Sequence, residues 1–330
     1  MSPPAGPFRG PLARDFEAFL AFRQDLATCH EHLRVALRHL DHFLTQRAAY
    51  FQELTRPLLD EWMATLADRA AITRRNYFRV ARQFCMFRAR TNPAVFIPDA
   101  MSCPRVTTRF RPYIYSEQEI RELVKAAAEL SGRLRPHTYV TLLLLLYSTG
   151  LRIGEAVRLQ LGDIDHDGGV LRIQAGKFRK ARLVPIRASL LARLDEYVEH
   201  RQRTGAPTHL DAPLFWNPRG RPYSCVGVQE GISQLLRLVC GKRRGHRGLG
   251  PRVHDIRHAF ACHRLLQWYR AGADVQAKLP LLATYLGHKT FLSTQFYLTA
   301  TPELLAEASR RFHDAFGSVV RLSEELDDIC

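Results

Sequence analysis

The stretch LGHKTFLSTQFY, residues 286–297, decides how this chain is interpreted, because it ends on Tyr297. The chain also carries Arg152 in the stretch TGLRIGE, and His254 and Arg257 in the stretch HDIRH. Two arginines can hold the non-bridging oxygens of a phosphodiester with planar, bidentate donors. Histidines can move protons, and a tyrosine hydroxyl can attack phosphorus. Together these residue types predict one phosphate-handling site that needs no metal ion.

In identity and in order along the chain, these residues resemble the signature of the tyrosine recombinases, the lambda-integrase family of site-specific DNA recombinases. Arg152 lies in a turn before the helix-like run EAVRLQL, and Lys177 lies between two strand-like runs. The HDIRH stretch opens a later helix, and His288 precedes Tyr297 by nine residues. The resemblance covers roughly residues 110–310 specifically, and the N-terminal third only by its size and helical character.

The resemblance implies a role for each of these residues, with the tyrosine as the nucleophile. Arg152 and Arg257 would bind the scissile phosphate, and His288 would donate a hydrogen bond to one of its oxygens. His254 would bond to a phosphate oxygen or assist proton removal from the tyrosine. Lys177 would donate a proton to the departing 5′ oxygen. A phenol titrates near pH ~10, so we expect the arginines and a histidine to supply positive potential and a proton acceptor.

Two residues are assigned supporting positions. Glu155 follows Arg152 by three residues on the same side of a helix. It either fixes a guanidinium or the lysine by a charge-assisted hydrogen bond, or it is a plain carboxylate at a helix start. His258 is adjacent to Arg257 in the chain.

Two alternatives to these assignments stay open. Lys180 and Arg182 compete with Lys177 for the role of the lysine, because they lie in the same hairpin-like run. A rival metal site would use the cluster around His254. Its members would be His254, Asp255, His258 and His263. None of the common metal motifs fits this cluster and the central arginine opposes a cation, so we expect neither a metal nor any other cofactor.

Composition points to a polyanionic partner. The chain has 330 residues, and its 48 Lys plus Arg against 32 Asp plus Glu give a formal net charge of +16. Double-stranded DNA is therefore the first candidate. The apolar run Leu142–Leu146 is too short to span a bilayer and the N-terminus lacks an apolar signal core, so we expect a cytoplasmic, nucleoid-associated protein with no membrane partner. The seven cysteines lack C-x-x-C spacing, which predicts reduced thiols.

The N-terminal third is predicted to be helical and to contact DNA. Residues 12–48 carry apolar positions at helical spacing and predict two helices, a third fits Leu58–Asp68, and a fourth begins near Thr73. The fourth interleaves aromatic residues with arginines, so it either presents its arginines to DNA phosphates or is a core helix with a solvated basic face. The assigned DNA contacts on this helix, in the linker and in the loop KRRGHRGLGPR are Arg74, Arg75, Arg79, Arg82, Arg109, Lys242, Arg243 and Arg244.

Five segments are expected along the chain. The proline-rich, basic stretch from Asn92 to Tyr115 shows neither the helical nor the strand spacing of apolar residues, which is typical of an interdomain linker. Ser116 begins a new domain, since SEQE has the form of a capping box with Glu119. The predicted segments are a flexible leader at 1–11, a helical core-DNA-binding domain at 12–103, a basic linker at 104–115, a catalytic domain at 116–310, and a C-terminal helix and tail at 311–330. The tail is either exchanged between protomers or packed on its own domain.

The second domain is predicted to be mainly helical with a small sheet. A buried helix through TYVTLLLLLYSTG stops at Gly150, and GGVLRIQAGKFRKARLVPI alternates well enough for two or three short strands. The predicted fold class is mainly α with a small antiparallel β-sheet. The resemblance implies that the N-terminal helical domain and the C-terminal catalytic domain close on DNA as a clamp.

The leading hypothesis is a site-specific DNA recombinase that cuts and rejoins DNA through a 3′-phosphotyrosyl intermediate and a four-way junction, as in integration, transposition or resolution. The resemblance implies a homo-oligomer that is a tetramer in the synaptic complex. Two alternatives stay open. One is a type IB topoisomerase-like or hairpin-forming strand transferase, and the other is a DNA-binding regulator that does not cut.

Overall fold

The computed structural model divides the chain into two compact units, Met1–Phe110 and Arg111–Cys330. Each unit has its own buried apolar core. The described residues are 8–25, 31–47, 53–106, 112–174, 181–217, 219–241, 250–288, 292–299 and 303–314.

Four helices form the described part of the first unit. They are α1 (Ala13–Asp25), α2 (Glu31–Gln46), α3 (Arg56–Ala64) and α4 (Ala71–Arg88). Apolar residues recur at helical spacing on each helix, so each buries one face. Phe16 and Phe19 of α1 and Phe84 of α4 are buried, and the rings of Phe16 and Phe84 lie 4.6 Å apart. The aromatic side of α4 therefore packs inward, as the sequence predicts.

Helix α3 is shorter than the sequence predicts, ending at Ala64 instead of Asp68. The backbone N–H of Thr65 donates to the carbonyl of Glu61, the N–H of Leu66 donates to the carbonyl of Met63, and the Thr65 hydroxyl donates to the carbonyl of Trp62 at 2.6 Å. These short-range bonds replace the next turn of the helix. Local hydrogen bonding therefore overrides the apolar pattern at this end.

Helices also dominate the second unit. They are α5 (Glu117–Ala128), α6 (Arg135–Thr149), α7 (Ile153–Val157), α8 (Ala188–Gln202), α9 (Cys225–Val239), α10 (Asp255–Arg270), α11 (Val275–Leu286), α12 (Leu292–Gln295) and α13 (303–314). Ser116 and Glu119 form the predicted capping box at the start of α5. The apolar α6 is central, since it contacts α5, α8 and α10.

Two small antiparallel sheets complete the second unit. The first has the order β1-β2-β3, and the second is a hairpin of β4 and β5. Their bounds are β1 (Ile164–Asp165), β2 (Val170–Ile173), β3 (Arg182–Pro185), β4 (Trp216–Asn217) and β5 (Arg221–Pro222). Leu171 pairs with Ile164 on one side and with Val184 on the other, and all three face the core. The predicted class, mainly α with a small antiparallel sheet, is confirmed.

The end of α6 is pressed against α10. Gly150 closes α6 in the left-handed region, with φ of 61°. A Cβ atom there would lie 2.5 Å from a ring carbon of Phe260 on α10, so only glycine fits both the conformation and the contact. The contact between Gly150 and Phe260 holds the end of α6 against α10, and Arg152 follows two residues later in the chain.

Neither a membrane helix nor a disulfide is found among the described residues. No helix there combines enough length with enough apolar character to cross a bilayer. The described cysteines are free thiols. Burial raises the pKa of Cys85 and of Cys262 to about 12, so these two are packing residues with little thiolate character.

Candidate active site

Arg152 lies between the end of α6 and the start of α7, at the N-cap position. Its backbone N–H and its Nη1 donate to the two carboxylate oxygens of Glu155, each at 3.0 Å. Its Nη2 donates to the carbonyl of Gly287, just past α11, at 3.1 Å. These bonds fix the orientation of the guanidinium, while 24% of the side chain remains exposed to an approaching anion.

Arg257 lies in the first turn of α10 and is only 2% exposed. Its Nη1 donates to the carbonyl of Gly150 and its Nη2 to that of Leu286, both at 2.7 Å. Helix ends leave carbonyls without helical partners, so one side chain joins the ends of α6 and α11. Burial lowers the pKa of Arg257 to about 9, with Arg152 acting in the same direction, so the guanidinium stays charged at neutral pH.

Glu155 is the anion that holds this corner of the site together. Arg182 of β3 donates to its two oxygens at 3.2 and 3.0 Å, and Arg182 Nε donates to the carbonyl of Tyr285 at 2.9 Å. Burial opposes ionisation of Glu155, but the hydrogen bonds from Arg182 and Arg152 outweigh it and lower its pKa to about 2. The carboxylate is therefore ionised at any working pH and orients both guanidiniums.

Tyr297 is 2% exposed and lies beside His258 of α10. The distance from Tyr297 Oη to His258 Nδ1 is 3.0 Å. Burial raises the pKa of Tyr297, although the charge of Arg257 opposes it. Burial and the neighbouring His254 lower the pKa of His258 to about 3. At neutral pH the pair is thus a protonated phenol beside a neutral imidazole, so the positive potential expected from the arginines is present but is outweighed by burial.

Two more histidines flank this pair. The ring of His254 packs edge-on against that of His258, with centroids 5.0 Å apart, and the ring of His288 stacks on that of Tyr297 at 6.1 Å. His288 Nδ1 lies 2.7 Å from Thr294 Oγ1. Burial lowers the pKa of His254, and it lowers that of His288 to about 4, with Arg257 as the next cause for both. Both rings are neutral at neutral pH.

The profile of the Phage integrase family matches residues 114–303 of this chain. That range is more than half of the chain and contains every side chain of the site described above. This chain belongs to the phage integrase family. The resemblance to the tyrosine recombinases that the sequence motifs indicate is therefore confirmed.

Relatives and a solved structure agree with this assignment. The chain is 41% identical over 244 residues to y4rB of Sinorhizobium fredii (strain NBRC 101917 / NGR234), a protein named as an integrase/recombinase, covering 72% of this chain and 76% of y4rB. It is 32% identical over 257 residues to tyrosine recombinase XerC of Pelotomaculum thermopropionicum (strain DSM 13744 / JCM 10971 / SI), covering 76% and 75%. The Tn1549 transposon integrase in complex with transposon right-end DNA matches with a TM-score of 0.64 at 14% identity, covering 92% of this chain and 99% of that one. This last match shows the shared fold.

This member of the phage integrase family has further predicted site residues that the structure does not describe. Lys177 lies outside the described residues, as do four of the assigned DNA contacts. Those four are Arg109, Lys242, Arg243 and Arg244. Their roles remain predictions from the sequence.

The four arginines assigned to DNA on α4 differ in exposure. Arg79 is exposed, whereas Arg74, Arg75 and Arg82 are half-buried. Arg82 Nε donates to the carbonyl of Pro98 at 2.9 Å, which holds the segment after α4 against the helix. Arg79 therefore has the most accessible side chain of the four, and the DNA role of the set stays a prediction.

The side chains of the rival metal cluster have separate partners. Asp255 accepts hydrogen bonds from the Arg252 side chain at 2.9 and 3.2 Å. His263 Nδ1 lies 2.8 Å from the hydroxyl of Tyr147. His258 contacts Tyr297. Among the described residues, no three of these four side chains bring their ligand atoms close enough together to share one metal ion.

Sequence reasoning did not assign three of the contacts in this family site. It considered Arg182 only as a competitor of Lys177, but the structure makes Arg182 the partner of Glu155. It left His258 without a partner, and it did not single out Thr294, which contacts His288. One indication for Arg182 was present in the sequence, namely a basic residue at the start of a predicted strand beside the predicted hairpin.

Proposed function

We propose that this chain is a site-specific DNA recombinase in which Tyr297 is the nucleophile. The observation that carries the proposal is the position of the Tyr297 hydroxyl, 3.0 Å from a neutral imidazole and beside two arginines that both donate to the carbonyl of Leu286, the last residue of α11. A buried phenol in an otherwise structural setting needs one hydrogen-bond partner, not two oriented guanidiniums. The arrangement suits in-line attack on a phosphodiester.

In the proposed reaction Arg152 and Arg257 bind the non-bridging oxygens of one phosphate. A guanidinium has five N–H groups, so the carbonyl bonds of each arginine leave donors for the phosphate. Tyr297 Oη forms a bond to phosphorus, and the bond from phosphorus to the 5′ oxygen breaks. The product is a 3′-phosphotyrosyl ester and a 5′ hydroxyl. A 5′ hydroxyl from another strand reverses the step, so rejoining needs no ATP.

Two proton transfers balance this step. When the His258 proton is on Nε2, Nδ1 accepts the phenolic proton as the P–O bond forms. The two arginines, bound to the same phosphate, stabilise the negative charge that develops on its oxygens. The 3.0 Å contact with Tyr297 favours His258 as the proton acceptor, one of the two roles that the resemblance offers for His254, while His254 and His288 would bond to phosphate oxygens. The 5′ oxygen takes its proton from Lys177, as the resemblance implies.

We further propose that the protein acts as a tetramer on paired sites and that each of its two units contacts DNA. The net charge of +16 and the membership in the phage integrase family support DNA as the partner. Integration, transposition and resolution use the same chemistry, so the biological role follows from the DNA site used.

Recovery of covalently bound DNA tests the proposal. Cells expressing the chain are lysed in denaturant, protein-linked DNA is sequenced, and the recovered site is supplied as two differently labelled duplexes. We expect products that join the two duplexes, both with and without EDTA. Relaxation or hairpins without joining would favour the strand-transferase alternative, and DNA binding without any covalent product would favour the regulator.

Arg182→Ala is expected to slow adduct formation about 10- to 100-fold while DNA affinity stays within about threefold. Glu155 would lose its bidentate partner, and Arg152 would then be held less firmly against the phosphate. Single-turnover rates on a nicked substrate, measured with saturating protein, separate the chemical step from binding. Arg182→Lys should recover part of the rate, and Arg187→Ala, an exposed arginine five residues on, should match wild type. A pure loss of affinity in Arg182→Ala would contradict the positioning role.

A further inference from the structure

A second cluster of titratable side chains lies where α6 packs on α8. It consists of His137 in the first turn of α6, and of Glu196 and His200 in the last two turns of α8. One ligand-type atom of each residue lies within 4.8 Å of the others. Among the described residues, one group of three His, Cys, Asp or Glu side chains brings its ligand atoms together in this way, and it is this one.

We propose that His137, Glu196 and His200 form a binding site for a divalent metal ion of the zinc class. Two imidazole nitrogens and one carboxylate oxygen are a ligand set that Zn²⁺ accepts, with water in the fourth position. Glu196 and His200 are four residues apart and so share one face of α8, and the third ligand comes from a different helix. The ion would therefore join α6 to α8.

The two oxygens of Glu196 already have separate surroundings that suit this role. Oε2 accepts a 2.6 Å hydrogen bond from Arg193 Nη1, whereas Oε1 faces His200 Nε2 at 3.9 Å. Oε1 can bind the ion while Oε2 keeps its bond to Arg193. A hydrogen bond to the second oxygen of a ligating carboxylate is the usual way to orient such a ligand.

The ligand side chains have to rearrange to close on an ion, but rotation of one ring requires no backbone movement. Bonds of about 2.1 Å in a tetrahedral site place ligand atoms about 3.4 Å apart, and the three ligand atoms here lie within 4.8 Å of one another. The rings of His137 and His200 are stacked with centroids 3.6 Å apart and planes 22° from parallel. One ring must turn about χ2 to bring both nitrogens to a common centre, and that torsion is soft. The side chains of Glu196 and His200 are 50% and 29% exposed, so an ion can enter from solvent.

This cluster lies far from the residues that are proposed to react with DNA, and its charge suits a cation. His137 and Thr149 are at opposite ends of α6, about 18 Å apart at 1.5 Å per residue. The positive end of α6 disfavours a cation, but the C-terminal end of α8 favours one, as does the carboxylate of Glu196. Metal binding at this distance would stabilise the packing of α6 on α8 and take no part in phosphoryl transfer. The site is absent from the sequence-based assignments because 59 residues separate His137 from Glu196, and no metal-spacing motif covers that interval.

Zn²⁺ titration of the full chain tests the site. The chain is stripped with a chelator and dialysed, and binding is followed by calorimetry and by the shift of the unfolding temperature. Cysteines can also take up Zn²⁺, so the result that counts is the difference between variants. We expect wild type to bind one more equivalent than His137→Ala or His200→Ala, Glu196→Gln to weaken that equivalent at least about 10-fold, and the rise in unfolding temperature to disappear in both histidine variants.

The matched control is His166→Ala. His166 Nδ1 lies 3.4 Å from Asp195 Oδ1 on a neighbouring surface, so this variant removes a histidine paired with a carboxylate but outside the cluster. His166→Ala should bind like wild type. Equal Zn²⁺ stoichiometry and affinity in wild type and all four variants would overturn the proposal. Glu196→Gln keeps the test decisive if a histidine variant folds poorly, and DNA joining by His137→Ala at the wild-type rate is expected because the site is remote from Tyr297.

Discussion

Tyr297→Phe is expected to abolish covalent attachment to DNA, with a fall in adduct formation of at least about 10⁴-fold. The substitution removes only the oxygen that forms the bond to phosphorus. The ring still fills its buried position between His258 and His288, so the fold is kept, at a cost of about 1 kcal/mol for the lost hydrogen bond. DNA affinity should stay within about twofold, because the phosphate-binding cations are unchanged.

A nicked suicide substrate carrying the recovered site measures this effect. A nick close to the cut lets the short 5′-hydroxyl fragment diffuse away, so the covalent adduct accumulates and is counted on a denaturing gel. Tyr285→Phe is the matched control, since its hydroxyl donates to the carbonyl of Pro185 and has no place in the mechanism. Adduct formation by Tyr297→Phe at a rate near that of wild type would assign the nucleophile to another residue.

Much of this fold follows from local sequence. Gly150 ends α6 because only glycine takes the left-handed conformation cheaply, and Ser116 with Glu119 starts α5 through a local capping box. Helical spacing of apolar residues located α1 and α2, and an apolar run shortly before Gly150 located α6. The family motifs placed Arg152 and Arg257, and the structure brings their side chains together at the end of α11.

The partners of these residues could not be read from the sequence in the same way. Arg182 reaches Glu155 across 27 residues of chain, and no periodicity encodes such a pair. Helical spacing also leaves open which of His254 and His258 meets Tyr297, because the tyrosine lies on a different element 39 residues away. The raised pKa of Tyr297 could not be predicted either, because it results from burial, and burial depends on the packing of the whole unit and not on any motif.

Arg257→Lys is expected to slow adduct formation about 10³-fold while DNA affinity changes by no more than about threefold. Removing one oriented donor from a developing anion costs a factor of about 10²–10³ in typical active sites. An ammonium is a point charge on a flexible stem, so it cannot bridge the carbonyls of Gly150 and Leu286 and still present a planar pair of donors to a phosphate. Affinity is spared because Arg257→Lys leaves the net charge of +16, which attracts the DNA backbone, unchanged.

Lysine is a better test here than alanine. Arg257→Ala would remove the Arg257 bond to the Gly150 carbonyl, at about 1–3 kcal/mol, and the shorter of the two arginine bonds to the Leu286 carbonyl, so its loss of activity would mix misfolding with chemistry. Arg264→Lys, two turns further along α10, makes the same chemical change at a half-buried arginine that donates to Gln267, and it should react at the wild-type rate. Single-turnover rates at saturating protein, with unfolding temperatures for both variants, complete the measurement. If Arg257→Lys bound DNA more weakly but cleaved the bound DNA as fast as wild type, Arg257 would serve only to anchor the helix ends, and the phosphate would depend on Arg152 alone.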